Sequence, residues 1–152
     1  IVINAYAPAG LRTLEQLASR TAIVNRLVQV TNANHPSQLP QLAGKRWPRI
    51  RSKVLARAYE GKDELTVQVV NDAARAVGIA IANVVSLMSI DCVVVGGGVT
   101  EALGERWIKE IQNTFAATVF PHVLRKCKVV ASSLGDDAGL IGAALLARER
   151  LG

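Results

Sequence analysis

A run of β-branched residues that ends in three glycines constrains the fold of this chain more than any other feature. Asp91–Val95 is apolar and unbroken after its first residue, which is typical of a strand covered by helices on both faces. Three consecutive glycines follow, and Thr100 is a good N-cap for a helix expected to run to about residue 117. The order strand, glycine turn, helix indicates an α/β arrangement.

The elements predicted on either side of this run support the same arrangement. A long helix is predicted over residues 63–89, and its second half is apolar nearly all round, so it should be buried on most sides. A second strand is expected at Lys128–Ser132 and a last helix at about 138–150. The alternation of helix and strand in this half favours a layered α/β fold.

The first half of the chain is predicted to be mainly helical. A short strand is expected at Ile1–Ala5, and a helix should begin at Thr13, which forms a capping box with Gln16, and continue to about Val30. Residues 32–48 contain three prolines and predict a long loop, and a helix over about 49–60 should end at Gly61. With no internal repeat, residues 1–152 are predicted to form one domain.

Cysteine usage and hydropathy predict a cytoplasmic protein. Cys92 and Cys127 fall in apolar strands, where we expect buried free thiols of the kind that a reducing compartment preserves. The sequence shows no signal-peptide pattern. The longest uncharged helical stretch, Ala76–Ile90, is too short to span a bilayer and contains Asn83, so no membrane association is expected.

Positive charge is concentrated in the first 60 residues. They hold nine Lys or Arg and two Glu, whereas residues 61–152 hold nine Lys or Arg and ten Asp or Glu. The densest part, residues 45–57, could attract phosphates or nucleic acid, and a solvated helix face is the alternative interpretation. Only one aromatic residue, Trp47, lies in this segment, and no helix-turn-helix pattern surrounds it.

The glycine turn is the strongest local indication of chemistry. Gly96, Gly97 and Gly98 would let backbone amides approach a phosphate at the start of a helix. The pattern is neither the dinucleotide fingerprint, because Glu101 replaces its third glycine, nor a P-loop, because no Gly-Lys-Ser/Thr follows. A tight strand-to-helix turn without a ligand is the alternative.

Several segments resemble one known family. Val93–Val99 resembles the adenosine-side motif of the actin-like ATPase superfamily. Ala76–Asn83, taken with the strand and glycines after it, is similar to a segment of the ROK (repressor, open reading frame, kinase) family. Leu134–Ala144 resembles that family's closing motif, and Leu14–Arg20 resembles the segment after its zinc cysteines. The similarity leaves out residues 32–60.

This resemblance implies a ribonuclease H-like, actin-like ATPase domain, of which the chain is the C-terminal lobe only. ROK kinases use ATP and Mg²⁺ to phosphorylate a sugar hydroxyl. The three glycines match the nucleotide loop, and Glu15 matches a glutamate that hydrogen-bonds the sugar. A surface acid favoured by the helix dipole is the alternative for Glu15. Asp136 and Gly139 match structural positions, a helix start and a site of close packing.

The zinc motif of the family is missing. Its cysteines would fall at Ala7, Ala9 and Thr13, which supply no thiolate, so no zinc is expected. His35 and His122 stand alone in the sequence and are expected at the surface.

The catalytic part of the family is also missing. The Asp-Gly phosphate loop, the catalytic Asp and the Glu-x-x-Gly-His segment should precede residue 1, which is Ile and not Met, so the chain is expected to be a truncated piece. We therefore nominate no catalytic residue and expect the chain alone to be inactive. Two alternatives stay open: the sugar-sensing lobe of a ROK-type transcriptional repressor, whose other part would bind DNA, and an inactive structural or dimerising domain. A homo-oligomer is expected.

Overall fold

Two parallel strands joined by a helix form the centre of the second half of the chain. The computed structural model describes residues 1–151, apart from the side chain of Asp136. Strand β1 (Cys92–Val95) pairs in parallel with β2 (Lys128–Ala131), with Cys92 opposite Lys128. Helix α6 (Gly98–Thr118) and a 3₁₀ turn make the crossover that parallel strands require. The predicted α/β fold is confirmed.

A long central helix, α5 (Glu64–Met88), contributes more residues to the core than any other element. Asp63 caps its N-terminus by accepting a hydrogen bond from the amide of Thr66, and Ser89 ends it in the left-handed conformation. The helix packs most extensively on α6 and also contacts three of the helices of the first half. The predicted bounds of 63–89 are thus confirmed within a residue at each end.

Four further helices build the first half: α1 (Leu14–Ala18), α2 (Arg20–Asn32), α3 (Leu39–Ala43) and α4 (Ser52–Glu60). The capping box between Thr13 and Gln16 is confirmed. The single helix predicted from Thr13 to Val30 is wrong, because Ser19 adopts an extended conformation that ends α1 and caps α2 through its side chain.

The loop predicted over residues 32–48 is partly wrong, since it contains α3 and a 3₁₀ turn at Gly44–Arg46. Pro40 lies in the first turn of α3, where a missing N–H costs no helical hydrogen bond. Leu39 is fully buried, and burying this side chain holds the short helix on the core. The proline count therefore gave a false indication of loop structure.

The strand predicted at residues 1–5 is also wrong. Val2 forms one isolated antiparallel bridge with Thr13, and the amide of Ile3 donates to the carbonyl of Arg12. The segment folds back on the residues that precede α1 instead of joining β1 and β2. One bridge is too little pairing for a strand.

Strand β1 is less buried than its apolar sequence predicts. Its residues alternate between exposed and half-buried, and Val94 is 62% exposed, so burial on both faces is wrong. In the part of the chain that the structure describes, the sheet has two strands, and α6 packs on one face of it. Cys92 is consequently exposed, against the prediction, whereas Cys127 is buried as predicted, and both are free thiols.

Helix α6 begins earlier than predicted and bends. Its N-cap is Gly97, and Thr100 lies buried inside the first turn, so Thr100 is not the cap. Gly104 has non-helical angles (φ 63°, ψ −152°) and divides the helix into two segments. The last helix, α7 (Ala138–Leu151), follows a 3₁₀ turn at Gly135–Asp137, close to its predicted bounds.

Helix α5 is also long and apolar enough, by length and composition alone, to cross a membrane. The helix has 25 residues and is longer than the uncharged stretch Ala76–Ile90, on which the prediction from sequence was based. About 56% of its most apolar window is buried inside the described residues, as expected for a core helix.

Candidate functional site

A cavity opens at the carboxyl ends of the two strands. It has a volume of about 600 Å³ and is bounded by the glycine turn, one side of α6 and the end of β2. Because β1 and β2 are parallel, their carboxyl ends meet at one edge of the sheet, and α/β sheets bind ligands at that edge. We call this space the glycine cavity.

Gly97 lines the cavity with backbone in an unusual conformation. Its backbone angles (φ 93°, ψ 166°) lie in a region that is essentially restricted to glycine. A Cβ atom built at this position would meet no other heavy atom within 4 Å, so the space beside the backbone is open. The turn therefore exposes backbone at the start of α6, where the helix dipole favours an anion.

Of the other two glycines, Gly96 lines the cavity and Gly98 does not. Gly96 lines the cavity and lies near Ser132, since a Cβ at Gly96 would be 3.3 Å from the Cβ of Ser132. The amide of Ser132 donates to the carbonyl of Val95, which extends the strand pairing to the rim. Gly98 is the first residue of α6 and does not line the cavity.

One side of α6 supplies polar groups that the sequence interpretation missed. Glu101, Glu105, Lys109 and Gln112 line the cavity. The side-chain Nε2 of Gln112 donates to the carbonyl of Val129 at 2.8 Å, which ties α6 to β2. Residues four apart lie on one face of a helix, so the spacing after the glycine turn could have identified the first three.

The remaining wall is apolar. Ile108, Val130 and Ala131 form it, between the polar side of α6 and the rim. An apolar wall suits an aromatic ring, carboxylates accept hydrogen bonds from hydroxyl groups, and a helix N-terminus suits a phosphate. The cavity combines these groups, although the first turn of α6 also carries the acid Glu101.

Glu15 stands in the first turn of α1 and is exposed. It does not line the glycine cavity, so the described residues do not bring the predicted sugar contact and the predicted nucleotide loop into one pocket. The turn before Glu15 is held by hydrogen bonds: Gln16 Oε1 accepts from the amides of Arg12 and Thr13, and Arg12 Nε donates to the carbonyl of Ala7 at 2.6 Å.

The structure also bears on the predictions for the two histidines, the closing motif and a metal ion. His35 and His122 are exposed, as predicted. A Cβ at Gly139 would meet nothing within 4 Å, so the predicted close packing at this residue is wrong for the described chain. The prediction for Asp136 rests on a side chain outside the described part. Leaving out the side chain of Asp136, no group of three or more His, Cys, Asp or Glu within residues 1–151 could hold a metal ion, and the absence of zinc stays a prediction.

The sequence model of the ROK family matches residues 11–150. A glucokinase of Halalkalibacterium halodurans is 31% identical over 137 residues, which are 90% of this chain and 41% of that protein. The chain thus spans about two fifths of the length of this curated relative.

Solved structures show the same similarity. A ROK family glucokinase from Streptomyces griseus, in complex with glucose and AMPPNP, matches with a TM-score of 0.74 and 32% identity over 90% of this chain and 44% of that one. A ROK family transcriptional regulator, a homolog of the E. coli MLC protein, matches with a TM-score of 0.74 and 26% identity over 89% of this chain and 33% of that one.

Proposed function

Because this chain belongs to the ROK family, we propose that it is the C-terminal lobe of an ATP-dependent sugar kinase with the actin-like ATPase fold. The whole protein would transfer the γ-phosphate of ATP to a hydroxyl of a hexose, and glucose is the first sugar to test. The similarity to glucokinases supports this class of substrate. The chain spans less than half of those proteins, so two lobes would have to meet for catalysis.

The observation that carries the proposal is the positive-φ glycine that lines the glycine cavity and has open space beside its backbone. Gly97 leaves room for a phosphate beside the backbone, and the cavity next to it is large enough for a nucleoside. We assign the nucleotide loop to Gly96, Gly97 and Gly98, with Gly96 and Gly97 in contact with the ligand. The AMPPNP bound by the Streptomyces griseus enzyme supports ATP as that ligand.

Mg²⁺ would enter with the nucleotide. The ion takes oxygen ligands and is usually held by substrate phosphates together with one or two carboxylates. Among the described residues no cluster of ligands could hold it without help, so we expect the phosphates and the other lobe to supply its ligands. Bound there, Mg²⁺ would neutralise charge on the transferring phosphate.

We assign Glu15 to the sugar. Its carboxylate is exposed and the turn before it is held by hydrogen bonds, so it can be presented to a ligand bound between two lobes. The resemblance assigns the catalytic base to a segment outside this sequence. We therefore propose that the 152 residues alone transfer no phosphate.

A transcriptional regulator is the second candidate function, favoured by the structural similarity to the MLC homolog. In that case the same lobe would respond to a sugar, and another part of the protein would bind DNA. Nothing in the glycine cavity favours this function over the kinase.

A coupled assay with ATP, Mg²⁺ and a panel of hexoses tests the proposal on the longest natural form of the protein and on the 152-residue chain. We expect turnover with at least one hexose for the longer form and none above background for the chain. Turnover by the chain alone would refute the assignment of the base to another segment. A longer form that binds DNA and turns over no hexose would favour the regulator.

A further inference from the structure

A second cavity, lined by three arginines, lies where the start of α2 meets the segment that leads into α4. It has a volume of about 340 Å³ and shares no lining residue with the glycine cavity. Arg20 lines it from α2, and Arg49 and Arg51 line it from the segment before α4. We call it the arginine cavity.

The positive charge of this cavity is not balanced by nearby acids. Among the side chains that the structure describes, no carboxylate lies within 4 Å of the guanidinium nitrogens of Arg20, Arg49 or Arg51. Residues 45–57 contain six Lys or Arg and no Asp or Glu. Guanidinium groups around one hollow repel each other, and an anion between them would turn that repulsion into attraction.

Arg20 is held in place by the fold. Arg20 donates through Nε to the hydroxyl of Ser52 and through a terminal nitrogen to the carbonyl of Ile50, each at 3.0 Å. Ile50 is buried at 3% exposure, and Arg49 and Arg51 flank this anchor on either side. The fold therefore fixes Arg20, and the exposed side chains of Arg49 and Arg51 lie on either side of the carbonyl that it binds.

Other groups at the cavity are donors as well. Thr21 and Asn25, on successive turns of α2, add a hydroxyl and an amide to its wall. Helix α4 begins beside it without a capping side chain, and the first turns of α2 and α4 contain no acid. The helix dipoles thus add to the field of the guanidinium groups.

We propose that the arginine cavity binds the phosphate group of a small phosphorylated metabolite. Arginine forms paired hydrogen bonds with phosphate oxygens, and several guanidinium groups around one hollow suit a dianion better than a carboxylate. The modest volume of the cavity fits a phosphate group on a small molecule. This site is separate from the proposed nucleotide site and does not depend on it.

The test uses inorganic phosphate as the probe and follows backbone amide shifts of the chain by NMR at constant ionic strength, with chloride as the reference anion. We expect saturable shifts around Arg20, Arg49 and Arg51. The double variant Arg49→Gln/Arg51→Gln should weaken binding about tenfold or more, because it removes charge-assisted hydrogen bonds. The matched control is Lys45→Gln/Arg46→Gln, which removes the same charge from exposed positions outside the cavity and should change binding less than about twofold.

Several results would overturn the proposal. Phosphate and chloride could produce the same shifts, or both double variants could lose phosphate binding equally. A single-stranded oligonucleotide that displaces phosphate and is weakened equally by both double variants would indicate diffuse polyanion binding instead. If circular dichroism shows that the cavity variant is unfolded, Arg49→Gln alone carries the same expectation with a smaller loss, since Arg20, which bonds Ile50, is left untouched.

Discussion

Gly78 of α5 lies so close to Thr114 of α6 that a Cβ atom at position 78 would stand 2.6 Å from the Cβ of Thr114. It would also stand 2.8 Å from the carbonyl oxygen of Ile111, so the two helices approach each other backbone to backbone. Since α6 carries one side of the glycine cavity, this approach fixes the cavity wall to the central helix.

We predict that Gly78→Ala destabilises the chain. The added methyl group must displace Thr114 and the backbone at Ile111, at a cost of about 1–3 kcal/mol, which should exceed the gain of up to ~1 kcal/mol in helix propensity. Urea unfolding of the variant measures the difference. Gly142→Ala is the matched control, because a Cβ at this helical glycine meets nothing within 4 Å. Equal stability of the two variants would contradict the close approach.

Helix α5 and strand β1 show what could be predicted from the sequence. The long apolar run of α5 predicted a buried helix with close neighbours, and its bounds were right because Asp63 caps it and Ser89 ends it. Strand β1 was predicted from equally apolar residues, yet its burial was wrong, because burial depends on which other elements cover a strand. A sequence pattern reports what a segment can bury, and its neighbours decide what it does bury.

The residues of the two cavities could likewise be predicted only in part from the sequence. The glycine turn was predicted because backbone freedom is visible in the residue type, and the positive φ of Gly97 confirms it. Glu101 and Lys109 were missed as cavity residues because charged residues on a helix usually face solvent. The arrangement of the arginine cavity depends on contacts between residues about 30 apart, such as Arg20 with Ile50, which no local pattern encodes.

The carboxylate of Asp63 joins two parts of the first half, and we predict that Asp63→Ala is strongly destabilising. It accepts hydrogen bonds from the amide of Thr66, the amide of Gln38 and the hydroxyl of Ser37, so it caps α5 and holds the segment before α3. Losing these charge-assisted bonds should cost about 2–4 kcal/mol in the free energy of unfolding. Asp72→Ala, which removes an exposed pair with Arg75, should cost less than about 1 kcal/mol. Equal losses of unfolding free energy in the two variants would contradict the role of Asp63 as a cap and a link between segments.

The contribution of Asp63 should also depend on pH. Burial alone would raise the pKa of Asp63, but the hydrogen bonds from Thr66, Gln38 and Ser37 outweigh it and lower the pKa. Because the folded pKa lies below the unfolded value of about 3.9, the stabilisation is fully present above that pH and is lost as the pH falls through the folded pKa. The difference in unfolding free energy between wild type and Asp63→Ala should therefore be constant near neutral pH and shrink below about pH 4. A difference in unfolding free energy that grows on acidification would contradict the lowered pKa of Asp63.

Substitutions in the glycine turn should separate backbone strain from crowding. Gly97→Ala should destabilise the chain by about 1–3 kcal/mol, because alanine disfavours the backbone angles at this residue even though nothing crowds its Cβ. Gly98→Ala should leave stability unchanged or raise it by up to ~1 kcal/mol, because Gly98 is helical and its Cβ would also be free. Thermal unfolding of both variants measures the contrast, and a Gly98 variant that is the weaker of the two would refute it.

The turn before α1 should hold without metal. Ala7, Ala9 and Thr13 provide no thiolate, and Gln16 and Arg12 form hydrogen bonds that span this turn. We predict that the purified chain contains no stoichiometric zinc and that EDTA leaves its unfolding temperature unchanged. Elemental analysis that finds one zinc per chain, or a lower unfolding temperature in EDTA, would contradict this prediction.

The division of the lobe into a nucleotide loop at Gly97 and a sugar contact at Glu15 is tested most directly by calorimetric titration of the longest natural form. AMPPNP and glucose are titrated separately into the folded variants Gly97→Val and Glu15→Ala. We predict that Gly97→Val loses AMPPNP binding and keeps glucose binding, because a branched side chain fills the open space beside the turn. Glu15→Ala should keep AMPPNP and bind glucose about ten- to a hundredfold more weakly, as expected for a lost hydrogen bond to a charged acceptor. Two folded variants that lose both ligands equally, or that lose neither, would contradict the division.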